Sequence, residues 1–167
     1  MRLGMVIISM TLALCLSFQA KAQFADSTYF HTFSPNLSDS ILDFGKRFLG
    51  TPYRYGGSTP GGFDCSGFVS YVFSHYQIAL PRSSRSYLSV GTPVATNELQ
   101  PGDILLFKGR NLSSSTIGHV SVVVEVTEKE IFMLHSSTSR GVLIEDYKKF
   151  AYYTKRYLGA RRVLPKS

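Results

Sequence analysis

Cys65 has the setting of a nucleophile. The stretch Phe63-Asp64-Cys65-Ser66-Gly67-Phe68-Val69 follows the loop Gly56-Gly57-Ser58-Thr59-Pro60-Gly61-Gly62, whose composition argues against regular structure. After the cysteine, Phe68, Val69, Val72, Phe73 and Tyr76 recur at intervals of three and four, so a helix opens at or near Cys65 and runs to about Tyr76. Unpaired amides at a helix N-terminus carry partial positive charge and favour thiolate over thiol. Asp64, one residue earlier, suits the N-cap on position alone.

A thiol nucleophile needs an imidazole to take its proton and a third group to hold that imidazole's tautomer. The chain has four histidines. His31 lies in an N-terminal segment without periodicity and is assigned no role. His75 follows Cys65 by ten residues on the same predicted helix, about 15 Å along the axis, which is out of reach. His119 and His135 remain, at the start of one predicted strand and the end of its hairpin partner, hence at the same end of a sheet. Register adds a condition. With a four-residue loop at 127–130, His135 would oppose Val122 and the two rings would point to opposite faces. They share a face only if the loop is odd or a bulge intervenes, which predicts an irregularity near residues 126–130.

The elements that must hold these residues follow from pattern and punctuation. Ser38-Asp39-Ser40 offers caps for a first helix over about 39–49, with Ile41, Leu42, Phe44, Phe48 and Leu49 on its stripe and Gly50 and Pro52 at its end. Residues 51–62 read as loop. Ser83 or Ser84 caps a further short helix. Gln100-Pro101-Gly102-Asp103 marks a turn before the strand Ile104 to Phe107. Strands over 120–126, 131–135, 141–144 and 157–164 follow, with a short helix within 146–153. Helices first and antiparallel strands afterwards give an α+β fold, with N-terminal helices packed on a small antiparallel β-sheet.

The chain has 167 residues, enough for one full domain. Arg2, the apolar stretch Leu3 to Phe18 and Ala20-Lys21-Ala22 form the pattern of a cleavable signal peptide over residues 1–22, too short and interrupted for a stable membrane span. A lead-in segment over 23–37 and one domain over 38–167 complete the organisation. Cys15 leaves open a lipoprotein signal, although Leu14 before it is bulky for that cleavage. After removal of residues 1–22, Cys65 is the sole cysteine, so no internal disulfide forms and a free thiol remains in an exported protein. Net charge falls from +7 to +5, because Arg2 and Lys21 are lost and no acid goes with them. Export argues against nucleic acid as the partner of the basic C-terminal region, which reads as a solvated face.

The motifs resemble one family. Thr51-Pro52-Tyr53-Arg54-Tyr55-Gly56-Gly57, the Asp64-Cys65-Ser66-Gly67-Phe68-Val69 block, Leu80-Pro81-Arg82-Ser83-Ser84-Arg85, Gln100 to Phe107, Gly118-His119-Val120 and Leu134-His135-Ser136 are similar, in order, to the blocks of the NlpC-type cell-wall endopeptidases. These are papain-like cysteine peptidases, and the resemblance covers about residues 38–164. It implies Cys65 as nucleophile, His119 as general base and His135 as the group orienting it. It implies Tyr53 at the oxyanion or substrate, Asp64 and Ser66 beside the substrate's free amine, and Arg82 and Ser83 in a cleft segment. Tyr55 stands where the family often has tryptophan. The implied reaction is hydrolysis of peptidoglycan stem peptides, typically at a D-γ-glutamyl–diamino acid bond such as that to meso-diaminopimelate, with no metal or organic cofactor. Three alternatives stay open at this level: an acyltransferase on the same scaffold, a non-catalytic wall-binding module, and a zinc site built from Cys65, His119 and His135.

Overall fold

The computed structural model describes residues 36–165, so the signal peptide expected over residues 1–22, with Cys15, and His31 and most of the lead-in segment lie outside the described residues. Helix α1 spans Leu37–Lys46 and is capped by Asn36, whose side chain accepts from the Ser38 amide. It begins two residues earlier than the Ser38–Ser40 caps suggested, because Asn36 is an equally good cap one turn upstream. Turns carry the chain from Arg47 to Thr51. The glycine-rich loop is not featureless: β1 (Ser58–Thr59) and β2 (Gly62–Phe63) form a small antiparallel hairpin, and Tyr53 bridges to Phe63. Helix α2 spans Cys65–Ser74 with Asp64 as N-cap.

A 3-10 helix over Ser84–Ser89 follows, then β3 (Thr92–Val94), β4 (Ile104–Lys108), β5 (Ile117–Val126), β6 (Ile131–Ser137), β7 (Gly141–Asp146), the short helix α3 (Ala151–Thr154) and β8 (Tyr157–Arg162). The six longer strands make one antiparallel sheet in the order β3-β8-β4-β5-β6-β7. Strand β3 escaped the sequence pattern because Pro93 and exposed neighbours give it no alternation.

The sheet has two covered faces. On one, Ile41, Phe68, Val72 and Phe73 of the helices pack on Leu106, Val120, Val122 and Leu134. On the other, Leu105, Phe107, Val123 and Met133 meet Tyr147 and Tyr153 from the segment after β7. Each fully buried Phe or Leu in these layers contributes about 1.5–3 kcal/mol relative to exposure. Cys65 belongs to the helical layer, whereas the His119 ring packs against Phe107 and Tyr153 of the aromatic layer.

Candidate active site

The position of Cys65 follows from its neighbours. Asp64 Oδ1 accepts from the Gly67 amide at 2.7 Å, closing the cap that starts α2. Its other oxygen accepts from the Gly56 amide at 3.0 Å, tying the preceding loop to the helix start. Gly67 is required by packing: a Cβ there would sit 2.0 Å from the Gly57 carbonyl oxygen, which itself accepts from the Asp64 amide. Aspartate before the cysteine and glycine after it thus press the loop onto the first turn and fix where the sulfur emerges.

Arg82 completes this end. Its two terminal nitrogens donate to the two oxygens of Asp64 at 2.8 and 2.7 Å, and further bonds reach Ser66 Oγ and the Gly57 carbonyl. Asp64 therefore has both oxygens engaged from within the protein. Of the residues the sequence nominated for substrate contact, only Tyr53 lines the cavity in front of Cys65. Asp64, Ser66, Arg82 and Ser83 do not. Ser83 is exposed at the start of the 3-10 helix and its side chain makes no cap hydrogen bond.

His119 and His135 are brought together by register. Strands β5 and β6 pair Val126 with Ile131 and Glu125 with Phe132 across the four-residue loop, but Val123 then pairs with Met133. Val124 is the extra residue. This bulge lies within the strand, slightly before the expected 126–130 region, and has the required effect: His119 and His135 face the same side. His119 Nε2 and His135 Nδ1 are 3.0 Å apart. His75 is elsewhere, stacked on Phe44 with ring centroids 3.9 Å apart.

Beyond His135 the chain of contacts continues to a residue the sequence reading missed. His135 Nε2 lies 2.8 Å from Glu145 Oε1, and Arg140 donates to Glu145 Oε2 at 2.5 Å. His135 is fully buried and Glu145 nearly so. Burial alone would raise the Glu145 pKa, but hydrogen bonds from His135 and Arg140 overcome it and hold the carboxyl down to about 2. An ionised carboxylate only accepts. His135 therefore donates from Nε2 and accepts at Nδ1, so His119 donates from Nε2 and carries its lone pair on Nδ1. Glu145 selects the tautomer of a ring two links away.

Cys65, Gly118 and His119 line one cavity of about 720 Å³ with Tyr53. The Cys65 thiol donates to the Gly118 carbonyl, 4.0 Å away, and makes no hydrogen bond to the imidazole. Burial here opposes the preference of the helix end for thiolate. Burial pushes the thiol pKa up, aided by Asp64, and outweighs the amides of Val120, Ser66 and Cys65 that pull it down. Burial, then the neighbouring His135, hold His119 well below the ordinary imidazole range, with Glu145 opposing. Both shifts favour the neutral thiol and the neutral imidazole over the ion pair. Tyr53 stays protonated, its pKa raised by burial and then by Cys65 and Asp64. No cluster of three or more His, Cys, Asp or Glu side chains among the described residues is placed to hold a metal. Both nitrogens of His135 are already engaged, which removes one arm of the zinc alternative.

Known proteins share the sequence and fold of this chain. The profile of the NlpC/P60 family matches residues 50–162. A gamma-DL-glutamyl hydrolase of Bacillus subtilis is 42% identical over 75% of this chain and 30% of its own length. A murein DD-endopeptidase MepS/murein LD-carboxypeptidase of Escherichia coli is 37% identical over 79% of this chain and 66% of its own. A crystal structure of an NlpC/P60 family protein from Bacillus cereus superposes with a TM-score of 0.69 at 33% identity, covering 78% of this chain and 41% of that one. The papain-like α+β fold is common to them. The chain thus spans under a third of the Bacillus subtilis relative's length.

Proposed function

The chain belongs to the NlpC/P60 family, and from that premise we propose that it is an exported cysteine endopeptidase that hydrolyses peptidoglycan stem peptides. The bond proposed is the D-γ-glutamyl–diamino acid amide, with Cys65, His119 and His135 as the catalytic set. One observation carries the reading: the Glu145–His135–His119 chain of contacts ends on a histidine that lines the same cavity as Cys65. One relative is named for a glutamyl bond and the other for DD and LD bonds of murein, and the bond is assigned here from the glutamyl hydrolase, which has the higher identity.

The reaction is acyl transfer. Because the neutral thiol and the neutral imidazole are favoured, the proton leaves sulfur as sulfur attacks the amide carbonyl, with His119 Nδ1 as acceptor. His135 and Glu145 stabilise the resulting imidazolium without taking its proton. The backbone amide of Cys65, at the start of α2, and the hydroxyl of Tyr53, which lines the cavity, are the proposed donors to the developing oxyanion. His119 returns the proton to the departing amine and then activates water against the thioester. Asp64, Ser66 and Arg82 hold the nucleophile in place, and Ser83 is left as an edge residue of the cleft segment. The chemistry calls on no metal or organic cofactor. No helix among the described residues is long and apolar enough to cross a membrane.

Digestion of purified peptidoglycan by the wild type and by Cys65→Ser tests the proposal. Wild type should release fragments with a new diamino-acid N-terminus and the variant should release none. Equal inactivity of both on several wall types would refute it.

A further inference from the structure

The cavity in front of Cys65 is electrically one-sided. Its wall includes Lys108 and Arg110 at the end of β4 and Arg140 after β6, and no aspartate or glutamate. Arg140 is neutralised by its ion pair with Glu145 behind the wall. Lys108 and Arg110 are not. Neither has a carboxylate within ion-pair distance among the described residues, and the Lys108 amine donates to a neutral carbonyl, that of Leu112, at 2.7 Å. Asp64, the nearest acid to Cys65 in sequence, is balanced by Arg82. The concave surface beside the sulfur thus carries two uncompensated positive charges.

Their placement is fixed by the fold. Lys108 ends β4 opposite Ile117, where the β4–β5 register slips. Gly118 and Gly109 approach so closely that a Cβ on Gly118 would lie 2.3 Å from the Gly109 Cα. This contact holds the basic segment against the strand that carries His119. A cation on a concave wall with low-dielectric sides attracts anions more strongly than the same cation on open surface. Lysine and arginine side by side suit a carboxylate, the guanidinium by paired hydrogen bonds and the ammonium as a point charge.

We propose that Lys108 and Arg110 form a carboxylate subsite of the cleft, so that the protein selects stem peptides bearing a free carboxylate over amidated ones. The inference rests on the hydrolase reading and sharpens its substrate class. Two carboxylates of such a peptide could fill the subsite, the α-carboxylate of the D-glutamyl residue or the second carboxylate of the diamino acid, and the experiment separates them.

Three synthetic stem peptides are compared: the free acid, the form amidated at D-glutamate, and the form amidated at the diamino acid. Each is assayed with wild type, Arg110→Ala and Lys108→Gln/Arg110→Ala, with circular dichroism to confirm unchanged folding. Wild type should cleave one amidated peptide about tenfold less efficiently, through KM rather than kcat, the scale of one charge-assisted hydrogen bond. The double variant should lose the same factor on the free acid and nothing further on that amidated peptide. Equal wild-type efficiency on all three peptides, or a double variant that still discriminates, overturns the subsite and leaves the hydrolase intact. Wild-type inactivity on every peptide and on whole peptidoglycan refutes the hydrolase reading, and the subsite with it.

Discussion

Two carboxylates, each clamped by an arginine, stand at opposite ends of this site. Asp64 with Arg82 holds the helix start that presents Cys65, and Glu145 with Arg140 holds the histidine chain. The pairs look alike in chemistry and differ in what they control. Asp64 receives two backbone amides as well as the guanidinium, so it fixes the path of the main chain. Glu145 receives a ring nitrogen, so it fixes a protonation pattern. The first pair is a device of position and the second a device of proton placement, and variants should separate them.

Glu145→Gln should have the larger effect on turnover. The amide preserves size, but it can offer an N–H to His135 and so allow the opposite tautomer, placing a proton on His119 Nδ1 where a lone pair is needed. A loss of about 10²-fold or more in kcat is expected, with KM little changed. A fall in KM's favour alone, with kcat intact, would reduce Glu145 to a packing residue.

Asp64→Asn should act mainly on stability. Asparagine remains a good cap, but Arg82 loses its ionic partner beside a largely buried amide. A loss of about 1 kcal/mol, or roughly 4 °C in melting temperature, is expected, with kcat reduced far less than in Glu145→Gln. If Asp64→Asn instead abolished turnover in a fully folded protein, Asp64 would have a direct part in substrate binding.

The smallest effect is a stability gradient with pH, and its sign is fixed. His119 and His135 hold protons less readily folded than unfolded, because both are buried. Glu145 also binds its proton less readily in the fold, with a pKa of about 2. In each case the unfolded chain takes up more protons, so stability is full above about pH 6.5 and declines as pH falls through the imidazole range. A second decline begins near the ordinary glutamate value and ends near pH 2. Melting temperature against pH should show both limbs, and Glu145→Gln should flatten the lower one.

The contrast between the two ends also explains what could be read in the sequence. The cap bond from the Gly67 amide to Asp64 spans three residues, so a helical stripe and a cap rule locate the start of α2 and with it Cys65. The α+β order and most strands were legible for the same reason. The pairing of His119 with His135 was legible only as a condition, because Val124, the bulged residue, carries no local mark that separates it from its neighbours in a β-branched run. Glu145 was out of view because the predicted β7 stopped at Ile144, one residue short. Once β7 is extended, the register of His135 with Leu143 and Met133 with Glu145 puts Glu145 diagonally beside His135 on the same face. The assignment of Asp64 to the substrate's amine drew on family resemblance, whereas its bonds to Gly56, Gly67 and Arg82 follow from its place at the helix start.

The central claim is that Cys65 becomes acylated during turnover. Acid quenching of the protein while it is hydrolysing a stem peptide, followed by mass spectrometry of the Cys65-containing fragment, measures this directly. Turnover through a thioester should leave an added mass on Cys65 equal to the acyl half of the substrate, labile to hydroxylamine and absent in Cys65→Ser. Sustained hydrolysis with Cys65 unmodified, or undiminished hydrolysis by Cys65→Ser, would contradict it.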